Sequence, residues 1–225
     1  MTITLDMWNA MSLKNQTLWL ENNCKYNGSG RPRGLVHGVG INDSTYCQQP
    51  RIEGRQVECP AYASWRGVLE RSYSKKYLSA RPTYINVSVC DEWHRFTAFR
   101  SWWLEHQVDG WQLDKDLLGD DEIYSPESCI FVPSWLNSFT IDAGARRGEL
   151  PIGVYYHKGK GRFCARCNNP KTKIREVLGY FKTPESAYMS WRSRKLEIAM
   201  DLKREMDEVD SKIYARVVDI IMRAK

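Results

Sequence analysis

The chain has 225 residues, 42% of them hydrophobic, with 9 Trp and 12 Tyr, a composition that supports one or two folded domains and excludes wholesale disorder. No run approaches the roughly 18–20 consecutive apolar residues of a membrane helix, and the start MTITLDMWNAMSL lacks the basic-then-apolar pattern of a secretory signal. The net charge of +6 is unevenly placed: residues 146–199 hold 13 Lys and Arg against 4 Glu and no Asp, a net of +9, so the rest sums to −3. That asymmetry points to a polyanionic partner for the last third. The seven Cys show no secreted disulfide spacing and predict reduced thiols in a cytoplasmic setting.

In chain order, residues 1–23 predict one short helix around Leu5, Trp8, Met11, Leu18, Trp19 and Leu20. The stretch NNCKYNGSGRPRG that follows reads as a turn cluster or linker, which makes residues 1–34 an N-terminal extension. Gly38, Gly40 and Gly54 fit neither GxGxxG nor GxxxxGK[ST], so no phosphate loop is read there. Pro60–Tyr73 has helical spacing with Pro at its first turn. Tyr84–Cys90 reads as a short strand, and Asp91–His106 as an amphipathic helix with Trp93, Phe96, Phe99 and Trp103 on a packing stripe. Arg66, Arg71, Arg95 and Arg100 lie elsewhere on these two helices, as phosphate contacts or as solvated surface. Cys59, Cys90 and Cys129 stand singly, without the CxxC pairing common in zinc sites. They read as buried thiols, and a structural zinc is not expected.

Trp111–Phe139 carries the densest chemistry. Its composition gives a strand ending near Asp114, a turn from Gly119 to Ile123, an apolar strand over Cys129–Val132, and a short helix opened by Pro133. A carboxylate from the first strand, Asp114, and an amide from the helix, Asn137, form an all-oxygen pair that suits a hard cation. On composition alone, Asp114 and Asp116 are equally hairpin-turn acids and Asn137 a helix cap. The residues Leu113, Asp114, Lys115, Asp116, Tyr124, Ser125, Pro126, Glu127, Cys129, Phe131, Val132, Pro133 and Asn137 resemble the ββα-metal core of HNH-type nucleases of the phage homing type. The upstream segment LVHGVGIND resembles the usual start of that domain. The resemblance implies one Mg²⁺ or Mn²⁺ held by Asp114 and Asn137, with Asp114, Lys115 and Asn137 as the catalytic set. Lys115 stands where the family has its catalytic His, and Ser128 where it has its middle Asn, which fixes the loop between the strands. A lysine amine is almost fully charged near neutral pH, so its expected part is positive charge for the scissile phosphate. His94, His106 and Tyr124 are the candidates for activating water.

The last third follows another pattern. IGVYYHK, RFCARCN and EVLGYFK alternate and are rich in aromatic and β-branched residues, split by two turn-forming stretches. A helix follows from about Pro184, with Thr183 as N-cap. Along RFCARCN, Arg162, Cys164 and Arg166 take one face, and Phe163, Ala165 and Cys167 the other. The CxxC of Cys164 and Cys167 therefore points to both faces and does not share a metal. Gly153, Val154, Phe163, Ala165, Arg166, Leu178, Gly179, Phe181, Glu185 and Ala187 resemble the ethylene-response-factor type of DNA-binding domain. That resemblance implies a three-stranded antiparallel sheet in the major groove with a helix behind it. Lys158, Lys160, Arg162, Arg166, Lys171, Lys173 and Arg175 would contact double-stranded DNA. The remaining chain to Lys225 reads as helical, broken near Asp207–Asp210, with Leu196, Met200, Met206, Ile213, Val217, Ile220 and Ile221 as an apolar side for the nuclease core or for a second copy in a homodimer.

The expectation is thus an α+β protein: an extension (1–34), an HNH-like nuclease domain (35–142), a DNA-binding domain (146–200) and a helical extension (201–225). Its expected activity is metal-dependent hydrolysis of DNA. The alternative is a DNA-binding regulator on a degenerate nuclease core. An RNA-binding role rests on charge and aromatics alone.

Overall fold

The computed structural model describes residues 3–26, 28, 33–119, 122–140 and 148–224. The expected turn acids Asp120 and Asp121 and part of the 22–34 linker lie outside them. The fold is mixed α+β. The chain divides into two compact units, Met1–Asp116 with Asp120–Phe131, and Leu117–Gly119 with Val132–Lys225. The division between these units lies near residue 131, and the C-terminal helices fall in the second unit.

In the first unit the N-terminus makes two helices, not one: α1 (Leu5–Ala10) and α2 (Leu13–Asn23). Met11 and Ser12 are extended between them, and the Ser12 hydroxyl accepts the Asn15 N–H at 3.2 Å as an N-cap. Ile3, Trp8 and Leu20 are buried in the unit's core, so this segment is structural rather than peripheral. A two-residue hairpin, β1 (Arg51–Ile52) and β2 (Arg55–Gln56), turns through Glu53 and Gly54, both with positive φ. Next comes α3 (Pro60–Tyr73), as its sequence pattern predicts, followed by α4 (Lys75–Ala80). The turn at Val36–Gly40 explains its glycines without a phosphate: Val36 and Gly40 exchange backbone hydrogen bonds of 2.8 and 2.9 Å, with His37 and Gly38 left-handed.

The span 91–106 is not one helix. A 3-10 turn covers Asp91–His94, Arg95 is extended, and α5 runs Phe96–His106. The aromatic stripe is buried as expected: Trp93, Phe96, Phe99 and Trp103 pack with Trp65, whose indole N–H donates to the Trp93 carbonyl at 2.7 Å. Only Ser88–Val89 of the expected 84–90 strand forms (β3). It pairs in parallel with β5 (Ile123–Tyr124). The four arginines of α3 and its neighbours serve the fold. Arg66 pairs with Glu58, Arg95 with Asp43, Arg100 with Glu21, and Arg71 donates to the Tyr124 hydroxyl. Strand β4 (Trp111–Asp114) pairs with β6 (Ile130–Pro133). Pro133 ends that strand, and helix α6 starts one residue later (Ser134–Thr140).

In the second unit β7 (Val154–His157), β8 (Arg162–Asn169) and β9 (Ile174–Phe181) form an antiparallel sheet in sequential order. Helix α7 (Pro184–Asp201) lies across it, N-capped by the Thr183 hydroxyl on the Ser186 N–H at 3.2 Å. The chain then turns at Leu202 as well as after Asp210, giving α8 (Lys203–Val209) and α9 (Ile213–Arg223). Met206, Ile213, Val217 and Ile221 are buried within this unit, while Met200 is exposed. The apolar side expected to seat a second copy is already covered by the chain's own helices.

Gly153 shows why the IGV triplet needs a glycine. It has φ +76, and a Cβ there would lie 2.0 Å from the Trp191 ring of α7. Gly153→Ala adds left-handed strain and overpacks a buried indole, so a loss of about 2–4 kcal/mol is expected for this unit. Denaturant unfolding of the full chain followed by Trp fluorescence measures it, and an unchanged midpoint would contradict this packing.

Candidate nucleic-acid interface and metal-ligand segment

The sheet has two chemically different faces. Glu176 accepts from Arg194 of α7 at 2.7 Å and pairs across the strands with Cys167, so these two residues face the helix. Alternation then puts Ala165 and Phe163 on the same side. Arg162, Cys164, Arg166 and Asn168 of β8 face away, with their partners His157, Tyr155, Tyr180, Val177 and Arg175. The opposed directions of Cys164 and Cys167 are as the strand period predicts. A bulge between Ala165 and Arg166 keeps both faces in phase by inserting one residue of β9, Leu178.

The outward face is laminated by cations on aromatic rings. The Arg166 guanidinium lies 4.1 Å from the Tyr155 ring centroid, and the Lys160 ammonium 3.7 Å from that of Tyr180. No carboxylate belongs to this face among the described residues. Arg162 and Arg175 are exposed on it, Lys158 and Lys160 sit in the 3-10 turn before β8, and Lys173 is exposed in the turn before β9. Lys171 differs from the others, since its ammonium stands 4.0 Å from Glu205 of α8. Of the seven basic residues expected at DNA, Arg162, Arg166 and Arg175 lie on the outward face, Lys160 reaches over Tyr180, Lys158 and Lys173 are exposed in the turns at opposite ends of β8, and Lys171 leans toward a helix.

In the first unit, Asp114 ends β4, and its carboxylate accepts the Asp116 N–H at 2.8 Å. Lys115 is buried, and its ammonium donates to Asp116 at 2.6 Å. The lysine is thus engaged by the carboxylate of its own neighbour. Asn137 lies on α6 in the second unit. Ser128 holds its loop firmly for a single hydroxyl. It donates to the Ile123 carbonyl at 2.6 Å and accepts the Ser125 N–H at 3.0 Å, in a buried setting.

The three candidate bases differ in their partners and exposure. Burial pushes the Tyr124 phenol well above its usual range, and its hydroxyl already accepts from Arg71, so it stays protonated. His94 is occupied by the Tyr73 hydroxyl at 3.1 Å, which itself accepts the Val89 N–H. His106 is different: its Nδ1 lies 2.7 Å from the Trp102 carbonyl, which can only accept. Nδ1 therefore donates there, and the exposed ring stacks against Trp102.

The cysteines are all thiols. Burial raises that of Cys129 to about 12, and Cys59 donates toward Thr17. Among the described residues there is no cluster of three His, Cys, Asp or Glu side chains, and no helix is long and apolar enough to cross a membrane.

The sequence gives no warning of a cavity of about 670 Å³ in the second unit, between α6, the end of β8 and α7. The Lys195 side chain lines it while only 9% exposed. Its ammonium sits 3.5 Å from the Phe139 ring centroid, and burial lowers its pKa to about 8. The burial of the lysine itself has a signal in the pattern: Trp191, Lys195, Ile198 and Leu202 share one helical stripe, the buried face of α7. No family model, no curated protein and no solved structure matches the chain.

Proposed function

We propose that the chain is a DNA endonuclease that binds duplex DNA through the outward face of its three-stranded sheet and hydrolyses a phosphodiester with one divalent cation. The observation that carries the reading is this face: an arginine- and lysine-bearing sheet surface without a described carboxylate, backed by a helix. Arginine forks suit both phosphate and the guanine edge. The hydrolytic half rests on the resemblance of 113–137 to HNH-type cores. Asp114 and Asn137 supply the oxygen donors that Mg²⁺ or Mn²⁺ prefers. When bound, such a cation would stabilise charge building on the phosphate and the leaving oxygen. Lys115 adds positive charge beside Asp114. His106, the exposed one of the three candidates, is the side chain assigned to activating water. In hydrolysis the water oxygen bonds to phosphorus, one ester P–O bond breaks, and the departing alkoxide gains a proton.

A second reading has its own support. Lys115 replaces the family's histidine and is locked to Asp116, as in a DNA-binding protein whose nuclease core no longer cuts. Incubation with supercoiled plasmid and with DNA from the source genome, in Mg²⁺ or Mn²⁺ and against EDTA, separates the two. Metal-dependent nicking or linearisation is the expected result. Salt-sensitive duplex binding without cutting on any DNA establishes the regulator instead. For a face making about six phosphate contacts, affinity should fall about a thousandfold between 50 and 200 mM salt.

A further inference from the structure

The cavity beside α7 has a makeup that the sheet surface does not explain. Lys195 is nine-tenths buried, yet among the described residues its ammonium has neither a carboxylate nor a hydrogen-bond acceptor. The neighbouring Arg194 has taken both Glu176 and Glu197. Arg166, Lys173 and Arg175 line the same space, and no described carboxylate does. The wall also holds the rings of Trp135, Phe139 and Trp191 and the amides Asn168 and Asn169, with small and aliphatic residues between them. A buried charge with only an aromatic ring beside it is costly, and a cavity that keeps one with no described carboxylate in its lining favours an anion. The aromatic half calls for a flat, apolar ring on the same ligand. The volume falls within the roughly 300–1,000 Å³ of small-molecule sites.

We propose that this cavity binds one nucleotide, with its phosphate at Lys195 and its base among Trp135, Phe139 and Trp191. The site needs neither Asp114 nor cleavage, so it stands apart from the nuclease reading. Arg166, Lys173 and Arg175 belong both to its lining and to the proposed DNA-binding residues, so a bound strand runs close to it. The nucleotide therefore has two sources, a free mononucleotide or one unstacked from a bound strand. In either case the ammonium gains a dianionic or monoanionic phosphate where it has only the Phe139 ring, and the indoles gain a stacked ring.

The test uses the full chain in calorimetric titrations. The probes are the four deoxynucleoside 5′-monophosphates, inorganic phosphate, a fully paired duplex and the same duplex with one bulged nucleotide. The variants are Lys195→Met, which removes a buried charge and so should fold, and Trp135→Ala, which truncates a half-buried ring. The expected result is binding of a monophosphate, or a preference for the bulged over the paired duplex, that falls at least about tenfold in Lys195→Met, as loss of a charge-assisted hydrogen bond implies. Trp135→Ala should weaken the same binding. Monophosphate binding identifies a free-nucleotide site, and a bulge preference without it identifies a strand-nucleotide site. Equal binding of inorganic phosphate and nucleotides overturns the proposal, as does any nucleotide binding that Lys195→Met leaves unchanged, or no nucleotide binding at all. Affinity for the paired duplex reports on Arg162 and Lys158, outside the cavity, so failure of the DNA-binding reading is seen separately.

Discussion

Replacing Asp114 by Ala is expected to abolish metal-dependent DNA cleavage while leaving duplex binding intact. In the proposed reading the two functions rest on different residues: the sheet face would bind, and the carboxylate at the end of β4 would be the anionic donor for the cation. Partners that merely orient a metal ligand are worth about 10–100-fold, so loss of the charged ligand itself should cost at least about a hundredfold. Asp114 also has a local task, since its carboxylate accepts the Asp116 N–H at 2.8 Å. Asp114→Ala removes this bond and costs about 1 kcal/mol of local stability. Asp114→Asn is the sharper variant because it keeps an acceptor oxygen of the same shape and loses only the charge. Both should lose cleavage, and the Asn variant should keep the parental unfolding midpoint. Cleavage at the parental rate in Asp114→Asn would remove this residue from the chemistry. Loss of duplex binding in either variant would mean that binding and cutting are not separable as the sheet face implies.

Much of the second unit is legible because its signals are local. The three strands alternate, their turns are short, and Thr183 caps α7 with its own hydroxyl. The side of β8 that faces away from the helix follows from strand periodicity alone, and the cross-strand partners of Arg162 and Arg166 agree with it. What was illegible depends on distant residues. Strands β3 and β5 are two residues each and pair in parallel across more than thirty positions, and such a pairing leaves no periodic trace. The break at Arg95 lies inside a helical apolar stripe, because Phe96 and Trp93 keep their spacing through a 3-10 turn. The N-terminal helices look peripheral by composition, yet Leu20 and Trp8 fill the first unit's core. Of the candidate site, Asp114, Lys115 and Asn137 are found through resemblance and not through pattern. The ion pair that occupies Lys115 is a contact no spacing rule supplies.

Lys195 makes a second large effect, on stability against pH. Its folded pKa is lowered from 10.5 to about 8 by burial, with the nearby Cys167 of β8 acting in the opposite direction. Glu176, the acid nearest on the sheet, is held by Arg194 and Asn169 instead. Below about pH 8 the folded chain carries a charged, desolvated amine. Between about 8 and 10.5 the unfolded chain binds a proton that the folded chain has released, so this residue makes stability rise with pH across that window. Every tenfold loss of proton affinity on folding costs the charged form about 1.4 kcal/mol, giving a burial cost near neutrality of about 3 kcal/mol. The cation–π contact with Phe139 returns about 1 kcal/mol of it. Lys195→Met is therefore expected to stabilise the second unit by about 2 kcal/mol at pH 7, with the gain shrinking toward zero by about pH 10.5. Denaturant titrations of both proteins at pH 7, 8.5 and 10 measure it, and taking their difference cancels the other groups that titrate there. Should the variant be destabilised equally at every pH, the ammonium would be paired in the folded chain. An anion seated in the cavity acts on the same buried charge: it raises the lysine's pKa, so the pH slope of the parental chain should flatten when the bound nucleotide is present.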